Sequence, residues 1–180
     1  MAGVIVRRAE PTDARAIAEV HVRSWQVGYR GQLPDDLLDS LDPTDRIPRW
    51  EAAIEAASWP GRGTLLIENH DALVAGFAHL GPSRDADHDP GATGEIASFY
   101  IDPMSWGRGL GRRLMNDALT ELSSRYRTGT LWVLESNARA RAFYEATGWI
   151  PDGRRKDDLM AGFEIRDLRY RHELRAPCRG

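Results

Sequence analysis

The sequence predicts an α/β fold in one domain over residues 1–175, with a flexible tail at 176–180. Three observations predict it. The apolar patterns run β-α-α-β-β-β-α-β-α-β-β along the chain. The period changes from helical spacing to alternation after Pro60-Gly61. No internal repeat, low-complexity segment or linker divides the 180 residues, which suffice for one good core.

Residues 4–8, V-I-V-R-R, read as a short strand. Pro11-Thr12-Asp13 marks a helix start, with Thr12 or Asp13 as the cap. Ala14, Ile17, Ala18, His21 and Trp25 then recur on one side; Tyr29 extends the stripe, and Gly31 and Pro34 break it. Residues 35–41 form a short helical piece. Pro43-Thr44-Asp45 repeats the start signal before Ile47, Trp50, Ile54 and Ala57, with Pro48 tolerated in the first turn. Residues 64–68 and 73–80 flank the turn cluster N-H-D and read as a hairpin. Residues 81–94 read as a long polar loop, and 95–101 as the next strand. A helix follows with Leu110, Leu114, Ala118 and Leu122 on one face. Residues 130–134, T-L-W-V-L, suit a buried strand. Asn137 opens a last helix that Gly148 closes. Residues 149–154 and 163–170 complete the strands.

Composition bounds the function. The chain is 42% hydrophobic and 28% charged, as ordinary globular proteins are, and its net charge of −3 supplies no basic field for nucleic acid. Its first residues lack a signal-peptide apolar core, and no run reaches the roughly 18 apolar residues of a membrane span. A cytoplasmic protein is the expectation. The one cysteine, Cys178, builds no disulfide framework and reads as a non-catalytic tail residue. The five histidines show no metal-ligand spacing, so no metal is expected.

The chemistry concentrates at residues 104–114, M-S-W-G-R-G-L-G-R-R-L, between a strand and an amphipathic helix. Gly107, Gly109 and Gly111 allow close backbone approach, and a helix N-terminus carries free N–H groups and positive potential. Arg108, Arg112 and Arg113 are unfavourable there unless an anion sits among them, and a phosphate or pyrophosphate is the simplest such anion. The bland alternative is a tight turn with solvated arginines. A dinucleotide fingerprint would need glycine where Arg112 stands, and a nucleoside-triphosphate loop would need Gly-Lys-Ser/Thr at its end.

W-G-R-G-L-G, after a strand ending I-D-P, resembles motif A of the GNAT-type N-acetyltransferases, Gln/Arg-x-x-Gly-x-Gly/Ala. N-A-R-A-R-A-F-Y-E-A-T-G-W is similar to their motif B, in the expected order. The stretch H-V-R-S-W-Q-V-G-Y-R-G-Q-L-P-D looks like that of a poorly characterised bacterial subgroup. The resemblance covers nearly the whole chain. It departs at Trp106, which stands at the Gln/Arg position.

The resemblance implies a mixed, mostly antiparallel central sheet flanked by helices. It implies acetyl transfer from acetyl-CoA to a primary amine of a small molecule or peptide, by direct attack in a ternary complex. Motif A places Gly107, Arg108, Gly109, Leu110, Gly111 and Arg112 at the pyrophosphate. Phe99, Tyr100 and Ile101 would offer their backbones to the pantetheine arm, with the Ile101 N–H facing the oxyanion, while their side chains pack the core. Asn137 would bind pantetheine, cap its helix, or do both. Tyr144 is the implied general acid, with Phe143 turned inward, and Glu95 the implied base, with His21 and His79 as weaker options. His21, Trp25 and Tyr29, with the acidic loop around Asp85, Asp87 and Asp89, are weak choices for an amine pocket; core packing and a solvated loop are the bland readings. Two alternatives stay open: a non-catalytic acyl-CoA-binding or sensing module, and an enzyme acetylating protein N-termini or lysines. Family analogy also allows a homodimer through the late strands.

Overall fold

The computed structural model describes residues 3–160 and 162–174. Cys178 and the tail at 176–180 lie outside the described residues. Among the described residues seven strands form one sheet: β1 Ile5–Arg8, β2 Gly63–Glu68, β3 Val74–Pro82, β4 Thr93–Ile101, β5 Thr128–Leu134, β6 Ile150–Met160 and β7 Phe163–Glu173. Their spatial order is β1-β2-β3-β4-β5-β7-β6, and every neighbouring pair is antiparallel except β4 with β5. The helices are α1 Ala14–Gly28, α2 Asp35–Asp39, α3 Ile47–Glu55, α4 Leu110–Ser123 and α5 Ala138–Ala146. The mixed sheet flanked by helices is the architecture the sequence implied.

Alternation along the strands divides the core between the two faces of the sheet. Leu65, Ile67, Ala78 and Leu80 meet the apolar stripe of α4, where Leu114, Met115, Ala118 and Leu122 are fully covered. Leu66 and Phe77, one residue out of phase, meet Ala14, Ile17 and Ala18 of α1 with Trp50 and Ile54 of α3. The helical periodicity thus reports the buried stripes correctly, including His21, which is 5% exposed.

Three boundaries differ from expectation. The polar segment 81–94 is shorter as a loop, because Gly81 pairs with Glu95, Pro82 with Gly94, and the Ser83 N–H donates to the Thr93 carbonyl. β6 runs to Met160 instead of ending near residue 154. It is an edge strand with both faces largely exposed, so charged residues such as Asp157, which pairs with Arg166 at 2.7 Å, mask any alternation. β7 likewise continues past Tyr170 to Glu173.

One irregularity creates the site. The β3–β4 register shifts between His79 and Leu80, so that Ala97 bulges from β4. β4 and β5 pair only at Thr93–Thr128, Gly94–Gly129 and Glu95–Thr130. Beyond that, the bulge twists β4 away while β5 stays paired to β7 along its length. The sheet splits there into a cleft.

Candidate active site

The cleft encloses about 840 Å³. β4 walls one side and β5 the other, and the turn before α4 and Tyr29, which follows α1, also line it. The Asp102 N–H donates to the Ala75 carbonyl of β3 at 2.8 Å. Backbone groups alternate along a strand, so Tyr100 also addresses β3, while Phe99 and Ile101 turn theirs into the cleft. The cleft therefore contains a length of open sheet edge. Of the three backbones expected to meet the cofactor, Phe99 and Ile101 face the cleft. Tyr100 contributes its phenol instead, whose Oη accepts a 3.0 Å bond from Trp25 Nε1.

The turn at the cleft end is locked by Asp102. Its carboxylate accepts from Arg23 at 2.7 and 2.9 Å and from the Met104 N–H at 3.0 Å. Gly107 and Gly109 have φ of +75° and +79°, the left-handed region that favours glycine. Trp106 N–H donates to the Pro103 carbonyl and Arg113 N–H to the Gly109 carbonyl. Between them, the N–H groups of residues 107–112 meet no acceptor among the described residues. Such a run of unsatisfied donors at the start of a fourteen-residue helix is an anion-binding concavity. Arg108 and Arg112 stand exposed beside it, whereas Arg113 pairs with Asp117 at 2.9 Å. Trp106 points its indole N–H to the Ile101 carbonyl at 2.8 Å, a bond the Ser24 hydroxyl shares at 3.3 Å.

α5 supplies the opposite wall. Asn137 caps it, its side chain accepting from the Ala140 N–H at 3.0 Å, and it also borders the cleft. Phe143 and Tyr144 reverse their expected depths. Phe143 is half-buried, stacks on Phe99 at 5.5 Å and lies under Gly111. Tyr144 is 8% exposed among Phe99, Trp149 and Tyr170, yet still lines the cleft. Burial raises its phenol well above the ordinary range, with Tyr100 adding to the effect, so it stays protonated.

Glu95 lies in the cleft wall, 3% exposed, but both its oxygens are engaged. Arg84 donates to them from Nη2 at 2.6 Å, from Nε at 3.1 Å and from its backbone N–H at 3.2 Å. The bidentate guanidinium occupies the oxygens that a base would turn toward an acceptor. Sequence reasoning missed Asp167. It sits on β7 opposite Leu134, lines the cleft, and meets Lys156 only loosely at 3.9 Å. Burial raises its pKa above the usual carboxylate value, against the lowering effect of Lys156. The alternation of β7 placed this acid on one face; nothing local tied it to the cleft.

The weak substrate choices divide. Tyr29 lines the cleft, and burial raises its phenol pKa. His21 and Trp25 do not line it. His21 is stacked on Tyr100 and accepts from Trp50 Nε1 at 3.3 Å; burial, then Arg46 and Arg49, depress its pKa to about 3. His79 is depressed to about 4, chiefly by burial, and bonds Thr64. The acidic loop is not a free carboxylate array. Arg169, 4% exposed, binds Asp85 at 3.0 Å, Asp87 at 2.8 Å and Asp152 at 2.7 Å. Among the described residues Asp85, Asp87 and His88 have metal-like proximity, and Arg169 already holds both carboxylates.

The cleft thus sets a run of acceptor-free N–H groups beside an open strand edge. The sequence model of the acetyltransferase (GNAT) family matches residues 20–149, and the chain belongs to that family of N-acetyltransferases. An uncharacterised N-acetyltransferase of Bacillus subtilis, YuaI, is 30% identical over 92% of this chain and 90% of its own. The L-amino acid N-acyltransferase MnaT of Escherichia coli is 30% identical over 64% of this chain and 61% of its own. The PaiA N-acetyltransferase of Thermoplasma acidophilum, solved with coenzyme A, has a TM-score of 0.70 at 16% identity, covering 95% of this chain and 99% of its own. Among the described residues no helix is long and apolar enough to cross a membrane.

Proposed function

We propose that this chain transfers acetyl from acetyl-CoA to the primary amine of a small molecule, by direct attack in a ternary complex. The observation that carries this is the run of acceptor-free N–H groups at residues 107–112 leading onto the open edge at Phe99 and Ile101. Diphosphate fits the first and the amides of pantetheine fit the second. The thioester supplies the acyl group. Phe99, farther along the edge from the cradle than Ile101, offers its N–H to the carbonyl oxygen, where negative charge develops during attack. Tyr144, protonated throughout the neutral range, donates a hydrogen bond to the departing sulfur.

The acceptor enters from the Tyr29 end. There the wall carries both signs, Asp167 with Lys156 beside it at 3.9 Å, and Arg84 on Glu95. This suits a small zwitterion, such as an α-amino acid, with its ammonium toward Asp167 and its carboxylate toward the cations. The likeness to MnaT, an L-amino acid N-acyltransferase, supports that class. Asp167 takes the ammonium proton; Glu95, held by Arg84, fixes the wall between acceptor and thioester. One proton leaves through Asp167, the second follows the sulfur, and the products are an amide and the free thiol. An acceptor screen of amino acids, simple amines and peptides, read by thiol release from acetyl-CoA, tests this. Turnover highest with amino acids is expected. Turnover only with peptides would overturn the acceptor class, and coenzyme binding without turnover across the panel would indicate a sensing module.

A further inference from the structure

The turn lacks a cation or amide at its first position, where Trp106 stands. The indole is immobilised edge-on by its 2.8 Å bond to the Ile101 carbonyl. Its face is not bare: the Arg139 guanidinium, from the first turn of α5, lies 3.4 Å from the ring centroid. Stacking uses the flat face of a guanidinium and leaves its in-plane N–H donors free. No carboxylate pairs with Arg139 among the described residues, although arginines nearby find partners, Arg113 with Asp117 and Arg166 with Asp157. Trp106, Arg139 and Arg112 all border the cleft. An oriented, unpaired guanidinium thus hangs beside a run of N–H groups that themselves lack acceptors.

We propose that Arg139, held on Trp106, is a phosphate-binding residue that restores from α5 the positive group missing from the turn. The proposal rests on the coenzyme reading of the cleft. Its ligand chemistry is a phosphate oxyanion, which coenzyme A offers in two places, the diphosphate and the 3′-phosphate. Trp106 acts through Arg139 as its platform, fixing a long side chain that would otherwise lose its freedom on binding.

Calorimetry with coenzyme A, 3′-dephospho-coenzyme A and, by competition, pantetheine tests the proposal. Arg139→Ala should weaken coenzyme A about tenfold and leave pantetheine unchanged. Loss retained with the dephospho compound places Arg139 at the diphosphate; loss abolished there places it at the 3′-phosphate. Trp106→Leu should weaken coenzyme A to a similar extent, and the double variant should be no worse than the poorer single one. Arg139 is exposed, so its truncation leaves folding intact even where Trp106→Leu does not. Wild-type affinity in Arg139→Ala, or equal losses for coenzyme A and pantetheine, would overturn the assignment. Wild-type protein that binds none of the three would overturn the coenzyme reading itself, and this proposal with it.

Discussion

Gly109 and Gly31 permit a matched comparison. Both have positive φ, +79° and +78°, and a Cβ added at either meets nothing within 4 Å. Alanine at each therefore brings backbone strain without collision. Left-handed backbone costs about 1–2 kcal/mol for a residue with a Cβ, partly offset by the smaller entropy of the unfolded chain. Each variant should lose about 1 kcal/mol, or roughly 2–4 °C in melting temperature for a chain this long. Only Gly109 lies in the cradle and borders the cleft. Relief of strain there turns the neighbouring N–H groups away from a common focus, so coenzyme A must supply the energy to realign them. About 1 kcal/mol corresponds to a roughly fivefold rise in Kd for Gly109→Ala, with Kd unchanged for Gly31→Ala. Calorimetry beside thermal melts reads both quantities. Gly109→Ala binding coenzyme A like wild type, or equal affinity losses at the two sites, would refute the cradle.

Four further outcomes follow from the same geometry. With an acceptor from the screen, Asp167→Asn should lower kcat about 10²-fold or more. It should also remove an acid limb that in wild type lies above the ordinary carboxylate range, since burial raises this pKa; an unchanged pH profile would return the base to another group. Tyr144→Phe should lower kcat at least tenfold with coenzyme affinity retained, and an unaltered rate would remove it as the donor to sulfur. His21 and His79, with pKa values depressed to about 3 and about 4, contribute stability that is full above pH 6.5 and lost as pH falls. Between pH 6.5 and 4 urea denaturation should show a slope of about 2.7 kcal/mol per pH unit from the pair, falling to about 1.4 in His21→Phe; equal slopes would count against a buried neutral His21. Arg169→Met should destabilise the fold by about 3 kcal/mol or more, because Asp85, Asp87 and Asp152 lose their shared cation; a stability within 1 kcal/mol of wild type would show that the loop is not clamped.

The glycine turn was legible because its chemistry is local: Gly107, Gly109 and the arginines are neighbours in sequence, and their conformations depend on little else. The helical stripes were legible because period reports burial. The cleft was not, since it arises where a bulge at Ala97 parts two strands that lie far apart in the chain. The acidic loop looked free because its partner, Arg169, lies 84 residues from Asp85. Asp167 and Arg139 were passed over for the same reason. Each sits within an ordinary strand or helix pattern, and only the packing of β7 and α5 brings it to the cleft. Glu95 shows the converse. Its position was read correctly, and its bidentate partner Arg84 alters what that position can do.

The Ile101 carbonyl is already covered by the Trp106 indole and the Ser24 hydroxyl. A peptide-like guest on a bare edge could slip along it by one pair of residues. Here the acceptor next to the turn is taken, and sliding toward the turn past Ile101 would leave guest amides unmatched. The edge thus has an end stop. It works as a ruler whose zero mark is Ile101, and it fixes how deep the tip of any such guest reaches. Widening that stop with Ser24→Ala and a smaller side chain at Trp106 would lengthen the scale, making reach along the strand a property set by two side chains outside it.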